Sequence, residues 1–234
     1  MTVGIHKNLI QGESEWLEAR RGLLTASEMK LVLTPTLKIA NNDKVRNHVK
    51  ELAAQRISGY VEPLYISDDM LRGNIDEIEA RELYSQHYDE VEEVGFITND
   101  KFGFTLGYSP DGLVGDDGLI EVKSRRQKYQ VDTIVENQVP KEYMLQIQTG
   151  LLVSERKWCD FISYSAGLDM ITIRVEEDEE IQQAIIEAST EFHRNLKEYV
   201  DRYNKNISDK NVRLIPTERR EYGDEITASE EIAA

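Results

Sequence analysis

The chain has 234 residues, 40% of them hydrophobic and 31% charged, which suits one soluble globular domain with a packed core. A single cysteine excludes an intrachain disulfide, and one Cys with four scattered His gives a zinc site no support. The net charge of −16 runs against a basic nucleic-acid footprint, no apolar run approaches a membrane span, and residues 1–15 lack a secretory apolar segment, so a cytoplasmic protein without membrane contact is expected.

In chain order, residues 14–21 read as a short helix. Thr25-Ala26-Ser27-Glu28 forms a capping-box pattern that opens a second helix to about Leu33, and a connection with Pro35 follows. Residues 42–58 read as helix. Ser67-Asp68 caps the next one, where Leu71, Ile75, Ile78 and Leu83 fall near helical spacing, to about Tyr88. Strands are predicted over 91–98, 102–109 and 119–123. Pro140 opens a helix through Val153, and strands over 157–164 and 170–175 come next. Ile181, Ile185, Ala188, Phe192, Leu196 and Val200 mark a long final helix. The expected organisation is a domain over 1–203 and a polar, acidic tail over 204–234. A mixed sheet of about five strands flanked by helices fits this order.

The acidic excess is local. Residues 176–180 are all acidic, and Asp224, Glu225, Glu230 and Glu231 crowd the end of the chain. Arg20, Arg21, Arg125, Arg126 and Lys128 sit instead beside the motifs below. A basic interior under an acidic exterior is compatible with handling DNA while suppressing nonspecific adhesion.

Ser109-Pro110-Asp111-Gly112-Leu113 is followed, ten residues after Asp111, by Glu121-Val122-Lys123. Strand side chains alternate, so Glu121 and Lys123 share a face and Val122 points into apolar packing. Gly115-Asp116-Asp117-Gly118 is a turn signal that folds Asp111 back toward Glu121. Two carboxylates and the Val122 carbonyl suit hard Mg²⁺, and Lys123 can orient or deprotonate a water. The plainer alternative is a hairpin with an ordinary exposed Glu–Lys pair.

The surroundings resemble the PD-(D/E)XK nuclease superfamily and, within it, the lambda-exonuclease-like (YqaJ-type) viral recombination exonucleases. Four ordered blocks within residues 13–200 carry the likeness: 15–28 (EWLEARRGLLTASE), 73–81 (GNIDEIEAR), the two halves of the hairpin, and 143–148 (YMLQIQ). The resemblance implies an α/β restriction-endonuclease-like sandwich with a central mixed sheet and the active strands in its middle. It implies a 5′→3′ exonuclease that starts at 5′-phosphorylated duplex ends, releases mononucleotides and leaves 3′ overhangs for a single-strand-annealing partner. Two Mg²⁺ ions ~4 Å apart, with Mn²⁺ as substitute, would be held by Glu77, Asp111, Glu121 and the Val122 carbonyl.

By the same resemblance Lys123 activates water and Gln146 positions it. Arg20, Ser27 and Ser109 hold the terminal 5′-phosphate, with Ser27 favoured by a helix start, and Met70 wedges the duplex end. A homotrimeric ring would enclose the DNA. Read singly, these residues have plainer meanings. Glu77 is a solvated carboxylate, Arg20 an exposed arginine, Ser27 and Ser109 helix-start and turn serines, Tyr143 and Gln146 a surface pair, and Met70 and Cys159 core side chains. The alternatives are a related nuclease acting on single strands or internal sites, and a catalytically silent DNA-binding or assembly module of the same fold.

Overall fold

A computed structural model describes residues 3–62 and 67–219, so Asp224, Glu225, Glu230 and Glu231 of the expected tail lie outside the described residues. Strand β1 (Val3–His6), helix α1 (Ser14–Arg20) and strand β2 (Leu24–Thr25) come first. A 3₁₀ turn, Ala26–Glu28, runs into the short α2 (Met29–Val32), and α3 (Asp43–Ser58) and α4 (Asp68–His87) follow. Next are β3 (Val91–Glu92), β4 (Phe96–Asn99), β5 (Leu106–Tyr108), β6 (Gly112–Val114) and β7 (Gly118–Ser124). Helices α5 (Gln127–Glu136) and α6 (Lys141–Ser154), strands β8 (Trp158–Tyr164) and β9 (Ile171–Glu176), and helix α7 (Glu179–Ser208) complete the order. Caps explain several boundaries. Asn42 accepts from the amides of Lys44 and Val45 at the start of α3, and Ser67 accepts from the Met70 amide at the start of α4. Among the described residues no helix is long and apolar enough to cross a membrane.

The described strands form two mixed sheets. One has the order β3-β6-β7-β8-β9, the other β1-β4-β5-β2. Strand β7 is the middle strand of the first sheet, antiparallel to β6 and parallel to β8, with α5 and α6 forming the crossover that a parallel pair requires. Both faces of this sheet are covered. Leu119 of β7 and Cys159 and Phe161 of β8 join a core with α2, α3, α6 and α7. Ile120 and Val122, with Ile162 and Tyr164, pack instead on Ala80 and Tyr84 of α4. The period-two alternation of β7 therefore places Glu121 and Lys123 on the α6 side.

The predicted strand over 91–98 is two strands in different sheets. The break falls at Gly95, where an added Cβ would lie 1.9 Å from the Leu9 carbonyl oxygen. The predicted strand over 102–109 shrinks to Leu106–Tyr108, because Gly103 adopts a left-handed φ of 84° and Phe104 turns to stack on His193 at 4.3 Å. Strands β1 and β2 and helix α5 were not expected, and β6 was expected only as the first arm of the hairpin; the three strands have four residues or fewer, too short to show a period. Leu71, Ile75 and Ile78 mark α4 as a helix but face outward, at 51%, 66% and 53% exposure, while Asp76, Ala80 and Tyr84 form its buried face. Helix α7 continues past the expected end to Ser208.

The chain divides after Val200. Residues 1–200 contain both sheets, and residues 201–234 contain the end of α7 and irregular chain as far as 219.

Gly150 lies in α6 directly under the Tyr108 ring, where a Cβ would come within 2.7 Å of Cζ. Glycine-to-alanine in a helix interior ordinarily stabilises by ~1 kcal/mol. Here Gly150→Ala is expected to destabilise by about 1–3 kcal/mol through overpacking. Urea unfolding of the two proteins checks the sign.

Candidate active site

The β6–β7 hairpin turns through Gly115 and pairs Gly112 with Ile120, which sets Asp111 across from Glu121 as the turn signal suggested. The Asp111 Oδ2 accepts the Val122 amide at 2.6 Å, and the Asp111 carbonyl accepts from Arg81 Nη1 at 2.9 Å. Glu121 is only 1% exposed. Its Oε1 accepts from Lys123 Nζ and from Gln146 Nε2 of α6, the latter at 2.5 Å, and its Oε2 accepts from the Tyr108 hydroxyl at 3.2 Å. Glu77 projects from α4 and pairs with Arg81, one helical turn on, at 3.2 Å. Thus α4, the hairpin and α6 bring Glu77, Asp111, Glu121, Lys123 and Gln146 into one electrostatic group.

Charge in this group is not balanced. Burial pushes the Asp111 carboxyl well above its usual range, and Glu121 and Glu77 push it further. Glu77 is also raised, first by burial, with Arg81 opposing and Glu121 adding to the rise. Burial disfavours the Lys123 ammonium, but Glu121 and Asp111 outweigh it and hold the ammonium charged. The oxygen-only donors Asp111, Glu121, Glu77 and the Val122 carbonyl fit the chemistry of a hard divalent cation, whose charge would relieve this repulsion. Among the described residues no three His, Cys, Asp or Glu side chains stand ready to hold a metal as they are placed. Lys123 and Gln146 occupy Glu121 Oε1 in that arrangement.

A second cluster forms around Arg20. Its Nη1 donates to Ser109 Oγ at 2.9 Å and its Nη2 to Thr25 Oγ1 at 3.3 Å, and Thr25 Oγ1 lies 3.4 Å from Ser27 Oγ. The Arg20 guanidinium stacks on Trp16 at 4.3 Å, and Trp16 Nε1 donates to Ser109 Oγ at 3.1 Å. Burial lowers the Arg20 pKa, with Glu28 opposing. Arg20, Ser27 and Ser109, assigned together from sequence, are thus together in space. The capping box at Thr25 and Glu28 forms as expected and Ser27 lies in the first turn it opens, but the dipole part of that reasoning is weak. Ser27 sits in a three-residue 3₁₀ turn before a four-residue helix, too short to build a macrodipole.

Ser27 of this cluster and Lys123 and Gln146 of the first line one cleft of about 250 Å³, together with Ala26, Lys30, Glu142 and Tyr143. Lys30, Thr25, Trp16, Tyr108 and Arg81 were given no site role from sequence, although Trp16, Thr25 and Arg81 lie within the motif blocks. Trp16 and Arg20 are four residues apart on a helix, a spacing that signals contact. Tyr108 directly precedes the Ser-Pro-Asp run. Tyr143 lies over Phe161 with ring centres 5.4 Å apart, and its hydroxyl accepts from Arg125 at 2.5 Å, so it is anchored beneath the cleft wall. Gln148 is elsewhere, buried and bonded to the Glu176 carbonyl and the Asp178 amide. Met70 lies half exposed in the first turn of α4 and does not line the cleft.

Comparison with known proteins finds relatives over most of the chain. Residues 15–157 match the model of a YqaJ-like viral recombinase domain. The solved structure of an alkaline exonuclease, LHK-Exo from Laribacter hongkongensis, is 32% identical with a TM-score of 0.75, over 84% of this chain and 98% of that one. Its complex with dAMP matches at 33% identity, with the same TM-score and the same coverage. A phage-related exonuclease from Haemophilus somnus 129PT, 12% identical at a TM-score of 0.57 over 77% of this chain and 96% of that one, shares the fold. No curated protein matches. The chain belongs to the YqaJ-like viral recombinase family, and its fold is of the PD-(D/E)XK type.

The raised Asp111 pKa has a sign that can be tested. Its ionised form opposes folding, a cost absent below the ordinary carboxyl value of 3.8 and fully present once pH exceeds the raised folded value. In metal-free protein, Asp111→Asn is expected to raise the unfolding midpoint by about 2–4 °C per kcal/mol of relief at alkaline pH. The gain should disappear in acid. Thermal unfolding across pH measures it.

Proposed function

We propose that this family member is a Mg²⁺-dependent 5′→3′ exonuclease acting on duplex DNA. It would enter at 5′-phosphorylated ends, release mononucleotides and leave 3′ overhangs for a single-strand-annealing partner. The nuclease assignment itself rests on the family and on the alkaline exonuclease relatives. The observation that carries the finer reading is the shared cleft. Ser27, which is linked to Arg20 through Thr25, lines it together with Lys123 and Gln146, so an end phosphate and a scissile bond can be engaged close together. A relative that binds dAMP, a nucleoside monophosphate, supports a mononucleotide product.

Asp111, Glu121 and Glu77 side chains with the Val122 carbonyl would hold the metal, two ions in the full site and Mn²⁺ as a substitute. Bound there, it would polarise the phosphodiester and lower the pKa of a coordinated water. The protein's own groups do the rest. Lys123, held charged, donates to the attacking water and offsets phosphate charge. Gln146 fixes the water's position from α6. Tyr108 keeps Glu121 oriented. Arg20, stacked on Trp16, presents its guanidinium to the terminal phosphate with Ser27 and Ser109, a charge-assisted contact suited to that geometry. Met70, half exposed in the first turn of α4, would wedge the duplex end as the family likeness implies. By family likeness the subunits close into a homotrimeric ring in the cytoplasm, and exposed Leu71, Ile75 and Ile78 are an apolar surface of the kind subunit contacts cover.

End-labelled linear duplex incubated with Mg²⁺ tests this. Stepwise release of mononucleotides from the 5′ end is expected, with loss on chelation. Cutting of circular or single-stranded DNA instead would identify the related internal or single-strand nuclease, and binding without cleavage a silent module. Lys123→Ala should reduce turnover by ~10²–10⁴-fold while the protein still binds duplex. Arg20→Ala should lower the preference for 5′-phosphoryl over 5′-hydroxyl ends by roughly ten- to hundredfold, the worth of a charge-assisted contact of ~1.5–3 kcal/mol. An equal loss on both ends would make Arg20 a general backbone contact.

A further inference from the structure

Behind the Arg20 cluster lies a buried imidazole that the proposed reaction does not use. His48 of α3 is 4% exposed. Its Nδ1 lies 3.2 Å from Glu51 on its own helix, and its Nε2 lies 3.6 Å from Glu28 Oε2, beyond hydrogen-bond distance and with no other partner among the described residues. That same Glu28 oxygen accepts from the Thr25 amide at 3.0 Å and from Thr25 Oγ1 at 2.8 Å. Thr25 Oγ1 in turn receives Arg20 Nη2 and touches Ser27 Oγ. From α7 the Phe192 ring closes over the imidazole at 5.5 Å between ring centres.

We propose that His48 is a positioning residue for the end-phosphate cluster: as an imidazolium it neutralises Glu28 and steadies the Thr25–Arg20–Ser27 group, leaving that cluster a net positive charge to offer a terminal phosphate. The electrostatics follow from the distances. Arg20 feels the Glu28 carboxylate. With a neutral imidazole, Glu28 cancels the Arg20 charge and repels an incoming phosphate dianion. With an imidazolium, the balance returns to positive. Glu51 is more than half exposed, so solvent screens it. Burial works against the imidazolium, but Glu28 and then Glu51 outweigh it and raise His48 above its ordinary 6.5. The charged form is therefore present below neutrality and is lost as pH rises through the raised value.

The inference rests on the end-phosphate reading of Arg20, and the test separates the two. Rates are measured on 5′-phosphoryl and 5′-hydroxyl duplexes from mildly acidic to alkaline pH. In the parent, the ratio of kcat/KM for the two ends should fall with rising pH by about three- to thirtyfold, the effect of one nearby charge at a partly screened site. His48→Gln, which keeps a polar amide beside Glu28, should show the low ratio at every pH, with kcat on 5′-hydroxyl ends unchanged. Glu28→Gln should keep a high ratio at every pH, because no carboxylate remains to neutralise. A His48→Gln protein with the parent's ratio and pH profile overturns the role of His48 and leaves the end-phosphate reading standing. A parent with no end preference at any pH overturns both. Should His48→Gln not fold, a parent-like pH dependence in folded Glu28→Gln overturns the proposal.

Discussion

A carboxylate buried to 1% exposure in the middle of a sheet, Glu121, is the constraint on which the rest of this site depends. A buried charge without partners costs several kcal/mol. Glu121 has three, drawn from three parts of the chain: the Tyr108 hydroxyl from β5, Lys123 from its own strand, and Gln146 from α6. Burial and the neighbouring Glu121 both push the Tyr108 phenol well above its ordinary pKa, so it stays a donor. Satisfying one charge therefore locks the second sheet, the central strand and the crossover helix into register. Gly150 makes this possible, because only a residue without a Cβ lets α6 approach the Tyr108 ring.

The same economy of placement suits a chain of net charge −16 to the duplex DNA proposed as its substrate. The cations that matter are local: Arg20 stacked on Trp16, and Lys30 and Lys123 among the residues that line the cleft. The acidic run Glu176–Glu180 is solvent exposed at the β9–α7 corner, where Gln148 ties it to α6. A local positive field set against a repulsive exterior favours a particular end over nonspecific coating.

Much of this was legible in the sequence wherever chemistry and periodicity coincide in a short stretch. The hairpin was readable because a turn signal, an alternating strand and three reactive side chains overlap within thirteen residues, Asp111 to Lys123. The long helices α3, α6 and α7 were readable from their caps and spacing. Arg20, Ser27 and Ser109 were grouped only through family likeness, since residues 89 apart in the chain leave no local trace of their contact. Short strands such as β2 and β6 carry too few residues to show a period. The α4 stripe marked the helix but not its buried face. Spacing reports a helix but not which face is buried, and here Asp76, Ala80 and Tyr84 face the sheet. His48 was silent because its meaning lies in a carboxylate twenty residues away that reaches it only in the folded chain.

In the proposed function Asp111, Glu121 and Glu77 form a divalent-cation site whose Glu121 oxygen is held in reserve by Lys123 and Gln146. Anomalous diffraction from a crystal equilibrated with Mn²⁺ tests it most directly. The account predicts a manganese peak bonded to the Asp111 and Glu121 carboxylates and the Val122 carbonyl, with Lys123 Nζ and Gln146 Nε2 released from Glu121 Oε1. A saturated crystal with no manganese at these residues, and the Lys123–Glu121 pair still closed, would contradict it.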